Sequence, residues 1–210
     1  MKAVESMKKN VWQEQQERND ALVRDSRYMR DSVTSSALPL HWDIRSVADL
    51  SDGDVHAAEA VGKEAARVAV RTLASLSKIN ELDHLGGGLD LIPALTLTLG
   101  VTDFERVQYT IEHAHTSIGY YAVLAALGYL DKQHVIDGFR RSLDIAGHVS
   151  WVPGGTELNG GRLGVMVPAA AGLALGLKAR HSPCEASAKQ GGEGSWVLCH
   201  CGDAGWISGQ

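Results

Sequence analysis

The chain has 210 residues, a formal net charge of -5 and a pI near 6.0; 44% of its residues are hydrophobic and 21% charged. This is the composition of an ordinary folded domain. The acidic balance argues against nucleic acid or an anionic membrane as a partner, since both favour a basic surface. No apolar h-region opens the chain and no apolar stretch reads as a membrane span, so a cytoplasmic protein is expected.

Residues 1–32 are polar and charged, without Pro or Gly, and predict a helical extension over 1–45 ahead of a main domain over 46–210. Ser51-Asp-Gly-Asp54 supplies an N-cap. The stretch 55–80 then reads as a long helix, because Val61, Ala65, Val68, Ala69, Leu73 and Leu76 recur at helical spacing. His84-Leu-Gly-Gly-Gly88 is a turn and 89–99 an apolar helix. Residues 107–111 form a β-branched run that predicts a strand, and 117–130 a small-and-apolar helix ending near Gly128. Another helix is expected over 131–143. With six glycines and one proline, 147–164 must be mostly loop, and 165–180 is an Ala/Gly/Leu helix suited to packing on a sheet or another subunit. Residues 183–195 read as a surface loop and 195–201 as a buried strand, followed by a turn at Gly202-Asp-Ala-Gly205. Helices alternating with short strands predict an α/β fold, a parallel sheet flanked by helices, with a site at the strand ends.

The cysteines, Cys184, Cys199 and Cys201, are too few for a disulfide framework. Strand alternation puts Cys199 and Cys201 on one face and His200 on the other. No second Cys or His pair completes a zinc set, so a buried strand is the better reading. Asp203, at the end of that strand between Gly202 and Gly205, is well placed to hold Mg²⁺. Gly160, Gly161 and Gly164 open a helix whose amides suit a phosphate or an aminopyrimidine ring. His84, the His113-Ala-His115 pair and His148 each lie beside a flexible turn, as a polar pocket with groups titrating near neutral pH requires.

In order, these segments resemble the N-terminal, diphosphate-binding domain of transketolases. Asp83-His84-Leu85-Gly86-Gly87 is similar to that family's Gly-His-Pro-Gly-Gly turn. Glu112-His113-Ala114-His115, with Tyr121 six residues on, is similar to its Ser-x-Gly-His segment. Phe139-Arg140 and Gly147-His148-Val149-Ser150 match Phe-Arg and Gly-His-Pro-Glu. Glu157 with Gly160-Gly161-Arg162-Leu163-Gly164 matches the cofactor loop, and Gly202-Asp203-Ala204 matches the Gly-Asp-Gly start of the thiamine diphosphate fingerprint. The resemblance covers about residues 55–210. It implies a thiamine-diphosphate-binding fold with Asp203 ligating Mg²⁺ (or Ca²⁺) and the backbone around Gly202 and Ala204 on the diphosphate. Gly161 and Leu163 would line the cofactor, and His84, His115 and His148 would face its reactive carbon and the hydroxyls of a sugar or sugar-phosphate substrate. The implied activity is transfer of a two-carbon ketol unit.

The departures are Leu85 and Val149 for proline, Ser150 for Glu, Gly160 for Thr and Ala204 for Gly. Ser208 also stands where the family often has Glu. The family's fingerprint continues to an Asn-Asn pair that supplies the second metal ligand, whereas the sequence stops at Gln210. A pyrimidine-domain partner is therefore expected, in a homodimer or heterotetramer, with this chain as the N-terminal subunit of a split transketolase. A component of a 2-oxoacid decarboxylase or dehydrogenase is the near alternative, and a non-catalytic scaffold subunit the more distant one.

Overall fold

The computed structural model describes residues 33–77, 87–102, 107–149, 161–180 and 196–208, together with residues 14, 17 and 21. Helix α1 (Asp52–Ser77) opens on a reciprocal cap. The Ser51 hydroxyl accepts from the Asp54 amide (3.3 Å), and the Asp54 carboxylate accepts from the Ser51 amide (2.9 Å). Its apolar stripe Val61, Ala65, Val68, Ala69, Leu73 and Leu76 is buried throughout, as the spacing predicts. Helix α2 (Ile92–Gly100) starts later than expected, because Pro93 fixes its first turn and residues 87–91 form a turn instead. Strand β1 (Val107–Ile111) has its expected bounds and leads through a 3₁₀ turn (Ala114–Thr116) into α3 (Ser117–Leu127). Then follow α4 (Lys132–Gly138), α5 (Met166–Arg180), β2 (Trp196–His200) and α6 (Asp203–Ser208).

All eleven residues of α3 are buried, which is what a helix apolar on every side requires. It is the centre of the helical layer, packing on α1, α2 and α4. Its first turn meets the chain at Gly87-Gly88 without side chains between them: a Cβ on Gly119 would lie 2.0 Å from the Gly88 carbonyl oxygen. Helix α4 stops at Gly138, short of the predicted 143, because Phe139 turns extended and Arg140 is left-handed (φ 62°). The predicted turn at 202–205 is instead the start of α6.

Among the described residues the sheet has two parallel strands, registered from Val107 opposite Trp196 to Ile111 opposite His200. The protein is thus mixed α/β and mostly helical. Strand β1 is buried apart from Gln108, whereas β2 is only half-buried and Trp196 is exposed. The buried strand expected over 195–201 is therefore corrected: β2 pairs on one side with β1, and no further described strand covers it. Among the described residues, no helix is long and apolar enough to cross a membrane.

An ionic cluster fixes the approach to this layer. Lys132 Nζ donates to Glu64 Oε1 (2.9 Å) and to the Thr34 and Ser36 carbonyls (2.8 Å each). The Thr34 amide and hydroxyl donate to the same carboxylate, and Arg67 bonds its other oxygen. Burial alone would raise the Glu64 carboxyl, but the Lys132, Thr34 and Arg67 donors outweigh it and hold the group below the usual range. Beyond this clamp, Leu38 donates to the Ala126 carbonyl (2.9 Å) and Trp42 to that of Gly100 (3.0 Å), so residues 34–42 are bonded to α1, α3 and α2.

Candidate functional site at the strand ends

Because β1 and β2 are parallel and in register, both chains leave the sheet at the same edge, where open α/β sheets hold their ligands. Residues 112–116 leave β1 there, and residues 201–205 leave β2. The Glu112 amide donates to the His200 carbonyl (2.7 Å), closing the ladder, and the Glu112 carbonyl accepts from Ala114 (3.0 Å) and Gly161 (3.3 Å). The loop before α5 is thus tied to the end of β1.

Glu112 is the buried centre of this edge, with no exposed surface. Its Oε2 accepts from the Met166 amide, the first residue of α5, at 2.6 Å. The other oxygen, Oε1, has no partner among the described residues. The side chain packs on the backbone of α6, where a Cβ on Gly205 would come within 2.4 Å of Glu112 Cγ. From the end of β1, the Glu112 side chain therefore reaches both the start of α5 and Gly205 of α6.

Three imidazoles line the same edge. His113 lies 6.2 Å from His115 and 6.3 Å from His200, ring centre to ring centre. His113 backs onto Gly202, whose missing Cβ would lie 3.1 Å from the ring, and His115 lies beside Gly87. The Thr98 hydroxyl lies 2.9 Å from the Ala94 carbonyl and 2.8 Å from His200 Nε2, and which partner donates in the second contact depends on the ring's tautomer. Burial, helped by His113, pushes His200 down to about 4, and burial also lowers His113. Both rings are neutral at physiological pH, so they serve as hydrogen-bonding groups and not as fixed cations.

Cys199 in β2 and Cys201 just after it are not activated nucleophiles. Burial raises Cys199, and burial together with the nearby Glu112 raises Cys201.

The predicted site residues fall into two groups around Glu112. Gly161, with φ 105°, sits against His148, a Cβ on it lying 3.2 Å from the ring Nδ1, and bonds to the Glu112 carbonyl. Leu163 is exposed in the turn that follows. On the other side, His115 joins His113, and Gly202 joins both through its contact with His113. Asp203 is exposed at the first residue of α6, with Oδ1 accepting from the Ala204 amide at 2.8 Å. His84 lies outside the described residues, as do Glu157, Gly160 and Cys184. The sequence alone assigns no role to Glu112 or His200. The position of Glu112 directly after β1 is the one signal that could have marked it.

The donor set bears on the implied cofactor. Asp203 Oδ1 is used by its own helix, which leaves Oδ2 as one carboxylate oxygen for a divalent ion. Among the described residues, no group of three or more His, Cys, Asp or Glu side chains could hold a metal ion. Comparison of the chain with protein-family models, curated proteins and solved structures found no match.

Proposed function

We propose that this chain is the diphosphate-binding unit of a thiamine-diphosphate enzyme of the transketolase type, working with a pyrimidine-domain partner in a homodimer or heterotetramer. The observation that supports the reading is the convergence, at one edge of a parallel strand pair, of Gly202 and the start of α6 at Asp203-Ala204, the Gly161–His148 pair and the His113–His115 pair. In the sequence these are separate landmarks, and that family's fold requires them at one edge.

In this reading Asp203 would hold Mg²⁺ (or Ca²⁺), and the Gly202 and Ala204 backbone would meet the diphosphate. Gly161 and Leu163 would line the cofactor. His84, His115 and His148 would hydrogen-bond sugar or sugar-phosphate hydroxyls and move protons as a ketol unit is transferred. When bound, thiamine diphosphate would supply the nucleophilic carbon for carbon–carbon chemistry. Polyol substrates suit a histidine-rich rim better than simple 2-oxoacids do, which ranks ketol transfer above a decarboxylase or dehydrogenase component.

A second reading, a non-catalytic scaffold subunit, is favoured by the exposed apolar side chains Leu175, Trp196, Trp206 and Ile207 around β2 and α6. Mixing the chain with a transketolase pyrimidine-domain polypeptide and assaying ketol transfer separates the two. Turnover that needs both polypeptides supports the enzyme, and a stable complex without turnover supports the scaffold.

A further inference from the structure

We propose that Glu112 is the resident anion of α5: it fills, from within the chain, the anion position that the start of this helix forms, and so closes that position to ligand phosphate. The first amides of a helix lack intrahelical acceptors and carry the positive end of its dipole. Helix α5 runs for fifteen residues from Met166, and its first amide donates to Glu112 Oε2 at 2.6 Å. The carboxylate is fully buried, yet Oε1 has no partner among the described residues. Among the described residues, the Met166 amide is thus the donor that holds this buried carboxylate.

Gly205 makes room for the side chain, since a Cβ there would meet Glu112 Cγ at 2.4 Å and Oε1 at 3.1 Å. The loop entering α5 is bonded to the Glu112 main chain through the Gly161 amide. The glycines of the 160–164 loop and the helix they open predict a phosphate cradle; in the structure the chain's own carboxylate has taken that role. A ligand diphosphate is then confined to the Gly202-Asp203-Ala204 turn, and the α5 side of the edge is left for a neutral ring or a sugar. This deepens the function proposed above and rests on it only for the identity of the excluded ligand.

The test uses the whole chain with formate and inorganic phosphate as probes, and no thiamine compound, so its result is independent of cofactor binding. In Glu112→Ala the thermal midpoint falls, and formate restores it saturably at matched ionic strength, whereas the natural chain does not respond. The Met166 amide resonance follows formate with the same midpoint. In Glu112→Gln, which keeps the shape and loses the charge, Met166 amide exchange quickens by about tenfold, the loss of a charge-assisted bond. That variant keeps the test open if the alanine form does not fold. The inference is overturned if Met166 exchange in Glu112→Gln matches the natural chain. It is equally overturned if phosphate shifts the Met166 amide of the natural chain.

Discussion

Replacing Gly119 by Ala sets two effects of opposite sign against each other. In an unconstrained helix the change would stabilise by about 0.5–1 kcal/mol, because glycine loses more backbone freedom on folding. At this position the added Cβ would lie 2.0 Å from the Gly88 carbonyl oxygen and 3.0 Å from its carbon. Gly88 has no slack, since its own missing Cβ would be 2.5 Å from Ile118 Cγ2. The seam between α3 and the 87–88 turn must open by about 1.4 Å to reach ordinary contact, in a region where every α3 residue is buried. Overpacking of a core costs about 1–3 kcal/mol when side chains can adjust, and backbone against backbone sits at the upper end. The clash wins, and a net loss of about 2 kcal/mol is expected, lowering Tm by roughly 4–8 °C for a chain of this size. Gly172 and Gly176 of α5 have no atom of the described residues within 4 Å of the place a Cβ would occupy, so their Ala variants should gain about 0.5–1 kcal/mol each. Thermal and urea unfolding followed by circular dichroism reads all three. A Gly119→Ala chain as stable as the α5 variants would refute the close packing of α3 on the 87–88 turn.

The remaining predictions concern charge and the site. His200 and His113 are lowered in the folded chain, so the unfolded chain binds more protons between about pH 6.5 and about 4. Stability is full above that window and declines as pH falls through it, which urea midpoints across the range will show; a flat profile would contradict the burial of His200. Lys132→Met leaves the Glu64 carboxylate buried without its main partner and should cost about 3–5 kcal/mol, with much of the loss recovered in a Glu64→Leu, Lys132→Met pair. Gly205→Ala should cost about 1–3 kcal/mol by displacing the Glu112 side chain. The loss should shrink in a Glu112→Ala background, and additive losses in the double-mutant cycle would contradict their contact.

Local patterns make several elements legible. The α1 stripe, the β-branched run of β1 and the small-and-apolar α3 each carry a periodicity or composition with one reading, and each lies where the pattern puts it. Element ends are less legible, because they depend on single backbone events such as the left-handed Arg140 after α4. The reading of 195–201 as a buried strand fails because an apolar run cannot say how many neighbours its strand has. Glu64 and Lys132 look like solvent-facing charges in sequence, and their burial depends on a contact 68 residues apart. The site divides in the same way. His115 follows β1 in a glycine-free 3₁₀ turn, whereas Gly161 and Gly202 let the chain pass close to the His148 and His113 rings. The roles of Glu112 and His200 depend on β1 lying beside β2, a pairing that no local pattern encodes.

The central claim, a thiamine diphosphate site built on the turn after β2, is tested most directly by calorimetric titration of Mg²⁺–thiamine diphosphate into the natural chain and into Asp203→Ala, with circular dichroism to establish that the variant is folded. The account predicts saturable, Mg²⁺-dependent binding to the natural chain that disappears in the variant. Binding that survives unchanged in Asp203→Ala, or no binding to the natural chain, would contradict it.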